Sequence, residues 1–140
     1  MDKTDLSIII VHHQLKEITL DCIKSIKDNV LNVSYEIIVV DNSKKEDNRI
    51  QISDISKILP SAFCLLPSTN KGFGAGNNLG AKKAKGEYLL LLNPDTLVFD
   101  NSIEKMLSFL KAHDEIGALT CLMGSDKKSL QKNFFGKFQS

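Results

Sequence analysis

Apolar residues along this chain form short unbroken runs that are separated by helical patterns. Three of the runs predict buried strands: Leu6–Val11, Ile37–Val40 and Tyr88–Leu92. Two others, Phe63–Leu66 and Ala118–Met123, are shorter or more interrupted. Unbroken rather than alternating hydrophobicity is typical of a strand that is covered on both faces, as in a parallel sheet. The pattern therefore predicts a parallel sheet between layers of helices.

The segments between these runs carry apolar residues at helical spacing. Three predicted helices extend from Leu15 to Val30, from Ile52 to Leu59, and from about Gly76 to Gly86. A fourth follows Asn101, the expected N-cap, with Glu104 at the capping-box position. The order βαβαβαβαβ predicts right-handed crossovers and a doubly wound, open α/β sheet.

Composition restricts the classes of protein to which the chain can belong. Its 140 residues predict one domain. The net charge of +1, with dispersed lysines, argues against nucleic acid as a partner, because a nucleic-acid groove carries a basic stripe. Cys22, Cys64 and Cys121 lie in apolar runs and are expected to be reduced core residues. With no signal peptide and no apolar stretch near the ~20 residues of a membrane span, a cytoplasmic location is expected.

Polar residues follow four of the predicted strands. They are His12–Gln14, Asp41–Ser43, the loop Asn70–Asn78, and Asn93–Asp95. In open α/β sheets, ligands bind beyond the carboxyl ends of the strands. We therefore expect these four segments to line one crevice.

The loop Asn70–Asn78 contains three glycines and leads into a predicted helix. Glycines allow a ligand to approach the backbone closely, and the N–H groups at a helix start attract anions. The loop is not a P-loop, because no Gly-Lys-Ser/Thr ends it, and it is not the dinucleotide fingerprint, because it follows the third strand. The alternative is a surface loop that is capped by Asn77.

Two aspartates in these segments are candidates for ligand binding. Mg²⁺ or Mn²⁺ that carries a diphosphate typically uses one or two protein carboxylates, so Asp95 alone is sufficient. Asp41 is placed to accept a hydrogen bond from an imide or a ribose hydroxyl. For both residues the alternative is an Asx-turn that ends the strand. His12 and His13 are adjacent on a strand and point to opposite faces, which favours polar packing or base contact over metal ligation.

These segments together resemble the N-terminal half of the inverting family 2 glycosyltransferases with the GT-A fold, and in particular the rhamnosyltransferase-like branch. The resemblance rests on residues 6–14, 36–43, 70–78 and 92–96, followed by Ser129-Leu130-Gln131. It implies a GT-A (Rossmann-like) open, mainly parallel sheet flanked by helices, truncated before the acceptor half. Residues 1–124 would form the nucleotide-sugar-binding half, and residues 125–140 would begin the acceptor-side region.

The resemblance also implies a role for individual residues. The carboxylate of Asp41 should bind the uracil or thymine imide, and Asp95 should bind the Mg²⁺ or Mn²⁺ ion. Asn93 stands at the first position of the family's Asp-x-Asp motif, and His12-His13-Gln14 replaces the usual residues after the first strand. The remaining positions are Val11 and His13 at the base, Gly72, Asn77 and Asn78 near the ribose and diphosphate, and Asn93 near the ribose.

The implied reaction transfers a sugar from a UDP- or dTDP-sugar donor to a glycan or lipid-linked acceptor, with inversion. The family's catalytic base would lie beyond Ser140, so this chain should bind donor but transfer poorly. Peripheral association with the inner face of the membrane and a homodimer through Phe134, Phe135 and Phe138 are both compatible with this interpretation. The alternative is a non-catalytic nucleotide-binding or assembly module that docks through this tail. A nucleotidyltransferase is a third, weaker interpretation, because no basic phosphate-gripping motif lies near the first strand.

Overall fold

The structure is a computed structural model that describes residues 3–44, 49–121, 123 and 124. In those residues, strands and helices alternate along the chain. The strands are β1 (Leu6–His12), β2 (Tyr35–Asp41), β3 (Phe63–Leu65) and β4 (Tyr88–Leu92). The helices are α1 (Lys16–Asn29), α2 (Ile52–Ile58), α3 (Phe73–Ala81) and α4 (Ser102–Ala112). The chain divides into two compact units, residues 1–104 and 105–140, and the sheet lies in the first.

The sheet has the strand order β3-β2-β1-β4, and all of its strand pairs are parallel. Every residue of β1 is buried, and so is every residue of β2 except Tyr35, which is partly buried. In register, Ile8 of β1 lies between Ile37 of β2 and Leu90 of β4. The prediction of an open parallel α/β sheet is therefore confirmed.

Helix α3 covers one face of the two central strands. Ile9, Val11, Ile38 and Val40 form a buried cluster on this face, and Leu79 of α3 packs against it. Gly80 permits the contact, because a Cβ at this position would lie 2.5 Å from Cγ2 of Ile9. On α1, the residues that are fully buried recur at helical spacing; they are Thr19, Cys22, Ile23 and Ile26.

Strand β4 differs from the prediction, which expected burial on both faces. Leu89 and Leu91 are 50% and 55% exposed, whereas the alternate residues Tyr88, Leu90 and Leu92 are partly buried. Within the described part of the chain β4 is an edge strand, and α3 lies on β1 and β2 instead. A run of leucines shows that a strand is hydrophobic, but it does not show which helix or strand covers each face of that strand.

Two predicted elements need correction. No strand forms at Ala118–Cys121 or at Met123, which are the described residues of the predicted fifth strand. Helix α3 begins at Phe73 and ends at Ala81, earlier than the predicted span from Gly76 to Gly86. It begins early because Gly72 takes a φ of +92°, a left-handed conformation that turns the chain into the helix.

Glu104, the predicted capping-box residue of α4, binds a distant segment of the chain. The carboxylate of Glu104 accepts hydrogen bonds from the backbone N–H groups of Leu31 (2.6 Å) and Asn32 (2.9 Å). Both bonds lower the pKa of Glu104 below its usual value, and the bond from Asn32 makes the larger contribution. The side chain therefore fixes the loop after α1, a long-range partner that the sequence pattern does not reveal.

The expectation of three core cysteines holds only in part. Cys22 is buried, Cys64 is partly buried and Cys121 is exposed. The tail segments that were singled out in the sequence, residues 129–131 and 134–138, lie outside the described residues, and the division at residue 124 stays a prediction. In the segments that are described, no helix combines the length and the apolar character that crossing a bilayer requires.

Candidate functional site

The carboxyl ends of β1 and β2 are joined by hydrogen bonds beyond the strands themselves. The backbone N–H of Asn42 donates to the carbonyl of His12 at 2.8 Å, which extends the ladder by one residue. The N–H of Gln14, a residue with a φ of +59°, donates to Oγ of Ser43 at 2.9 Å. His13, between these contacts, is exposed. The first two of the predicted segments therefore meet.

Asp41 ends β2 with a buried carboxylate and is 3% exposed. Its Oδ1 accepts a hydrogen bond from the N–H of Ser43 (2.7 Å), and its Oδ2 accepts one from the N–H of Ile50 (2.9 Å). The first bond is the Asx-turn that the sequence left open as an alternative. A carboxylate oxygen can accept two hydrogen bonds, and the base contact stays a prediction.

His12 ends β1 and is fully buried. Its Nδ1 lies 2.8 Å from Oγ1 of Thr19, and its Nε2 lies 3.9 Å from Oδ1 of Asp41. The Thr19 hydroxyl donates to the carbonyl of Leu15 at 2.9 Å. Since that hydroxyl has one hydrogen, its oxygen accepts from His12, and Nδ1 of His12 must carry the donated hydrogen.

The glycine-containing loop is attached to the end of β2 and to β1. Nδ2 of Asn42 donates to the carbonyl of Gly72 at 3.2 Å, and Oδ1 of Asn70 accepts from the N–H of Gly72 at 2.8 Å. A Cβ at Gly76 would lie 2.8 Å from Cγ1 of Val11. The start of α3 therefore packs directly on the strand ends, as the predicted crevice requires.

Asn77 presents a buried acceptor in the first turns of α3. The residue is 6% exposed, and its Nδ2 donates to the carbonyl of Phe73 at 3.2 Å. Its Oδ1 has no hydrogen-bond partner among the described residues. A buried acceptor without a donor costs about 1–3 kcal/mol, so a ligand hydroxyl or a water would stabilise this group. Asn78, next to it, is exposed.

The segment after β4 lies at the same edge of the sheet. Leu92 pairs with Ile10 of β1 in register, so Asn93 follows at the level of the β1 end. The carbonyl of Asn93 accepts the N–H of Thr96 (3.2 Å) and lies 3.9 Å from Sγ of Cys22. Burial is the main cause that raises the pKa of Cys22 to about 12, and the negative charge of Asp95 is a smaller cause. The side chains of Asn93 and Asp95 are exposed.

Asp95 is the residue that the sequence assigns to a metal ion. In the described part of the chain, no three His, Cys, Asp or Glu side chains are grouped closely enough to hold a metal. A single exposed carboxylate does not form a complete protein-held site. It does suit Mg²⁺ or Mn²⁺ that arrives with a diphosphate, since these ions retain water and take phosphate oxygens as ligands.

Two residues of this arrangement have roles that the sequence alone did not suggest. Asn42 bridges the end of β2 to the carbonyl of Gly72, and Thr19 orients His12 from the first turn of α1. The hydroxyl on an otherwise apolar helix face was the available signal for Thr19, because a polar group there needs a partner. No signal in the sequence identified the partner of Asn42.

Two curated relatives show how much of a longer protein this chain represents. The minor teichoic acid biosynthesis protein GgaB of Bacillus subtilis is 24% identical over 139 residues, which cover 97% of this chain and 15% of the relative. A poly(ribitol-phosphate) beta-glucosyltransferase of Bacillus spizizenii is 24% identical over 132 residues, which cover 93% of this chain and 21% of the relative. The chain therefore spans a minor part of these proteins.

Solved structures share the fold. Residues 1–349 of Staphylococcus aureus TarS, in complex with UDP-GlcNAc, match with a TM-score of 0.68 and 20% identity over 79% of this chain and 32% of that chain. The mannosyltransferase PcManGT of Pyrobaculum calidifontis, in complex with GDP-Man and Mn²⁺, matches with a TM-score of 0.66 and 13% identity over 81% of this chain and 33% of that chain. At these identities the likeness shows the fold, and the predicted partial GT-A fold is confirmed.

The family is shown by a match over most of the sequence. The model of the family described as "Glycosyl transferase family 2" matches residues 7–135, which include all four of the segments that form the candidate site. The chain belongs to glycosyltransferase family 2.

Proposed function

We propose that this chain is the donor-binding part of an inverting glycosyltransferase and that it binds a UDP- or dTDP-sugar beyond the ends of β1, β2 and β4. The observation that carries the proposal is the contact of Asn42 with Gly72, since it joins the second strand end to the start of α3. In the first turns of α3, Oδ1 of Asn77 has no hydrogen-bond partner among the described residues and offers an acceptor to a hydroxyl group. The two solved relatives were determined in complex with UDP-GlcNAc and with GDP-Man.

The base is proposed to lie at the end of β1, against Val11 and His13. Asp41 would accept the imide N–H of uracil or thymine through an acceptor position that its two backbone bonds leave available. Because Asp41 is buried, this contact requires the backbone at Ser43 or Ile50, which binds the carboxylate, to shift as the base enters. Gly72, Asn77, Asn78 and Asn93 would lie along the ribose and diphosphate.

The diphosphate is proposed to bind Mg²⁺ or Mn²⁺ together with Asp95. The ion would offset negative charge on the departing nucleoside diphosphate, a Lewis-acid contribution. The role of Asp95 is to hold that end of the donor at the mouth of β4. The N–H groups at the start of α3 are suited to the phosphate oxygens.

The complete enzyme is proposed to transfer the sugar to a glycan or lipid-linked acceptor by single displacement with inversion. The general base that deprotonates the acceptor would be supplied by sequence beyond this chain, so the 140-residue chain should bind donor without efficient transfer. A rhamnosyltransferase-like specificity and a cytoplasmic location at the inner face of the membrane are part of the same proposal.

The test is thermal unfolding of the chain with Mn²⁺ and, in turn, UDP, dTDP, GDP or ADP. A nucleotide at about 100 times its dissociation constant adds roughly 2.7 kcal/mol, which should raise the midpoint by about 5–10 °C. We expect this rise with UDP or dTDP, and we expect it to need Mn²⁺. Asp95→Asn should abolish the metal dependence.

Asp100→Asn is the matched control, because it removes an exposed carboxylate from the same loop region. It should leave the nucleotide response unchanged. Absence of a shift with every nucleotide would overturn the proposal and favour the non-catalytic assembly module. Efficient sugar transfer by the purified chain would contradict the assignment of the catalytic base to sequence beyond it.

A further inference from the structure

His12 is an unusual residue to bury at the end of the central strand β1. It follows the apolar run Ile8–Val11, yet it is 0% exposed, as is Thr19, and Asp41 is 3% exposed. Burying polar groups costs free energy unless each finds a partner. Because replacing buried polar partners by apolar residues is often neutral or stabilising, the buried chain Thr19–His12–Asp41 calls for a reason other than stability.

The contacts of this chain connect two elements at the mouth of the candidate site. On one side, Thr19 lies in the first turn of α1 and accepts the hydrogen from Nδ1 of His12. On the other side, Nε2 of His12 lies 3.9 Å from Oδ1 of Asp41, beyond hydrogen-bond length, so the imidazole packs beside the buried carboxylate. Asp41 in turn holds the backbone of Ser43 and Ile50.

The loop that Asp41 folds also reaches back to β1. Oγ of Ser43 accepts the N–H of Gln14, which lies two residues after His12. A closed circuit of contacts therefore runs from His12 through Asp41 and Ser43 to Gln14 and back along the chain.

We propose that His12 is a positioning residue, anchored by Thr19, that sets the Asp41 carboxylate and the turn at Ser43 for binding of the nucleotide base. This inference rests on the proposed function, because it assigns a role to residues behind the same site. It separates the site into two parts: the base end depends on the circuit, whereas Asp95 and the diphosphate end do not.

Thr19→Val is the sharpest variant, since it removes the hydroxyl and keeps the side-chain volume. The net free energy of one buried hydrogen bond corresponds to about a 3- to 10-fold change in an equilibrium constant. We therefore expect the dissociation constant for UDP with Mn²⁺ to rise roughly 3- to 10-fold. Pyrophosphate with Mn²⁺, which has no base, should bind as it does to the unaltered chain. Thr19→Ser restores the hydroxyl and should restore the affinity for UDP.

Ser7→Ala is the matched control for a loss of stability. Ser7 is a buried hydroxyl at the opposite end of β1, where it donates to Glu36 at 2.7 Å and accepts from Gly86 at 2.8 Å. Its removal should lower the unfolding midpoint without changing either dissociation constant. A merely structural role for Thr19 would give the same result as Ser7→Ala.

NMR of the imidazole protons tests the anchor without a nucleotide. The Nδ1–H resonance of His12 should be protected from exchange in the unaltered chain and in Thr19→Ser, and it should be lost in Thr19→Val. Equal losses for UDP and pyrophosphate, an unchanged UDP affinity, or no recovery in Thr19→Ser would each overturn the inference. If the unaltered chain binds pyrophosphate with Mn²⁺ but no nucleotide, the base subsite fails; if it binds neither, the proposed function fails with it.

Discussion

Replacing Gly80 with alanine should destabilise this chain, although alanine is the better helix former. The exchange gains about 1 kcal/mol in helix propensity. The new Cβ, however, would lie 2.5 Å from Cγ2 and 3.3 Å from Cγ1 of Ile9, which is fully buried in the central strand. Ile9 is β-branched and therefore stiff at χ1, and overpacking of a core costs about 1–3 kcal/mol. At such a distance we expect the upper part of that range, and therefore a net loss of about 1–2 kcal/mol.

The same helix provides a control of opposite sign. A Cβ at Gly74 would have no atom within 4 Å, so Gly74→Ala changes helix propensity alone. It should stabilise the chain by a few tenths to about 1 kcal/mol. For a chain of this size, the unfolding midpoint should fall by roughly 3–8 °C in Gly80→Ala and rise by roughly 1–4 °C in Gly74→Ala.

A double-mutant cycle with Ile9→Ala identifies the cause. The truncation alone should cost about 2–5 kcal/mol. In the Gly80→Ala background it should cost at least about 1 kcal/mol less, because the new methyl group then fills part of the cavity. A stabilising effect of Gly80→Ala, or strict additivity in the cycle, would refute the close approach of α3 to β1.

Two further predictions concern titratable side chains. The hydrogen bond from Lys16, at 2.7 Å, is the main cause that lowers the pKa of Asp54 from its ordinary value of 3.8, so Lys16→Met should raise it in an NMR titration. The stabilisation from this pair is complete above pH 3.8 and is lost as the pH falls through the lowered pKa of Asp54. An unchanged Asp54 titration in the variant would show that the pair does not form in solution. Burial raises the pKa of Cys22 and of Cys64 to about 12, so near pH 8 a thiol reagent should label the exposed Cys121 rapidly and the other two only on unfolding. Rapid labelling of all three thiols in the folded chain would contradict the burial.

The elements that sequence predicted well are those in which local pattern and tertiary environment agree. Helix α1 begins and ends within one residue of its predicted limits, and β1 and β2 are buried along their whole length, apart from the partly exposed Tyr35. In β4 the same kind of apolar run leaves Leu89 and Leu91 half exposed. The difference arises because strand order decides burial, and strand order depends on contacts between residues that are distant in sequence.

The candidate site shows the same division between local and distant information. The four segments could be found from the sequence because polar residues after buried strands are a local signal. The Asx-turn of Asp41 was foreseen as an alternative, since it is also local. The bonds from Asn42 to Gly72 and from His12 to Thr19 could not be foreseen, because each depends on how a helix docks on the sheet.

The two ends of the proposed donor site are built in different ways, and this difference has a consequence for metal binding. Two buried groups, His12 and Asp41, support the base end, and both are held by hydrogen bonds before any ligand arrives. At the diphosphate end, Asp95 is exposed and no other acidic, histidine or cysteine ligands are grouped with it in the described residues. One carboxylate in water binds a divalent ion weakly, because the ion keeps most of its hydration. Mn²⁺ alone should therefore leave the unfolding midpoint unchanged, and it should become effective only when a nucleoside diphosphate supplies the remaining oxygen ligands. An equally large rise with Mn²⁺ alone would require a preformed metal site that the described residues do not contain.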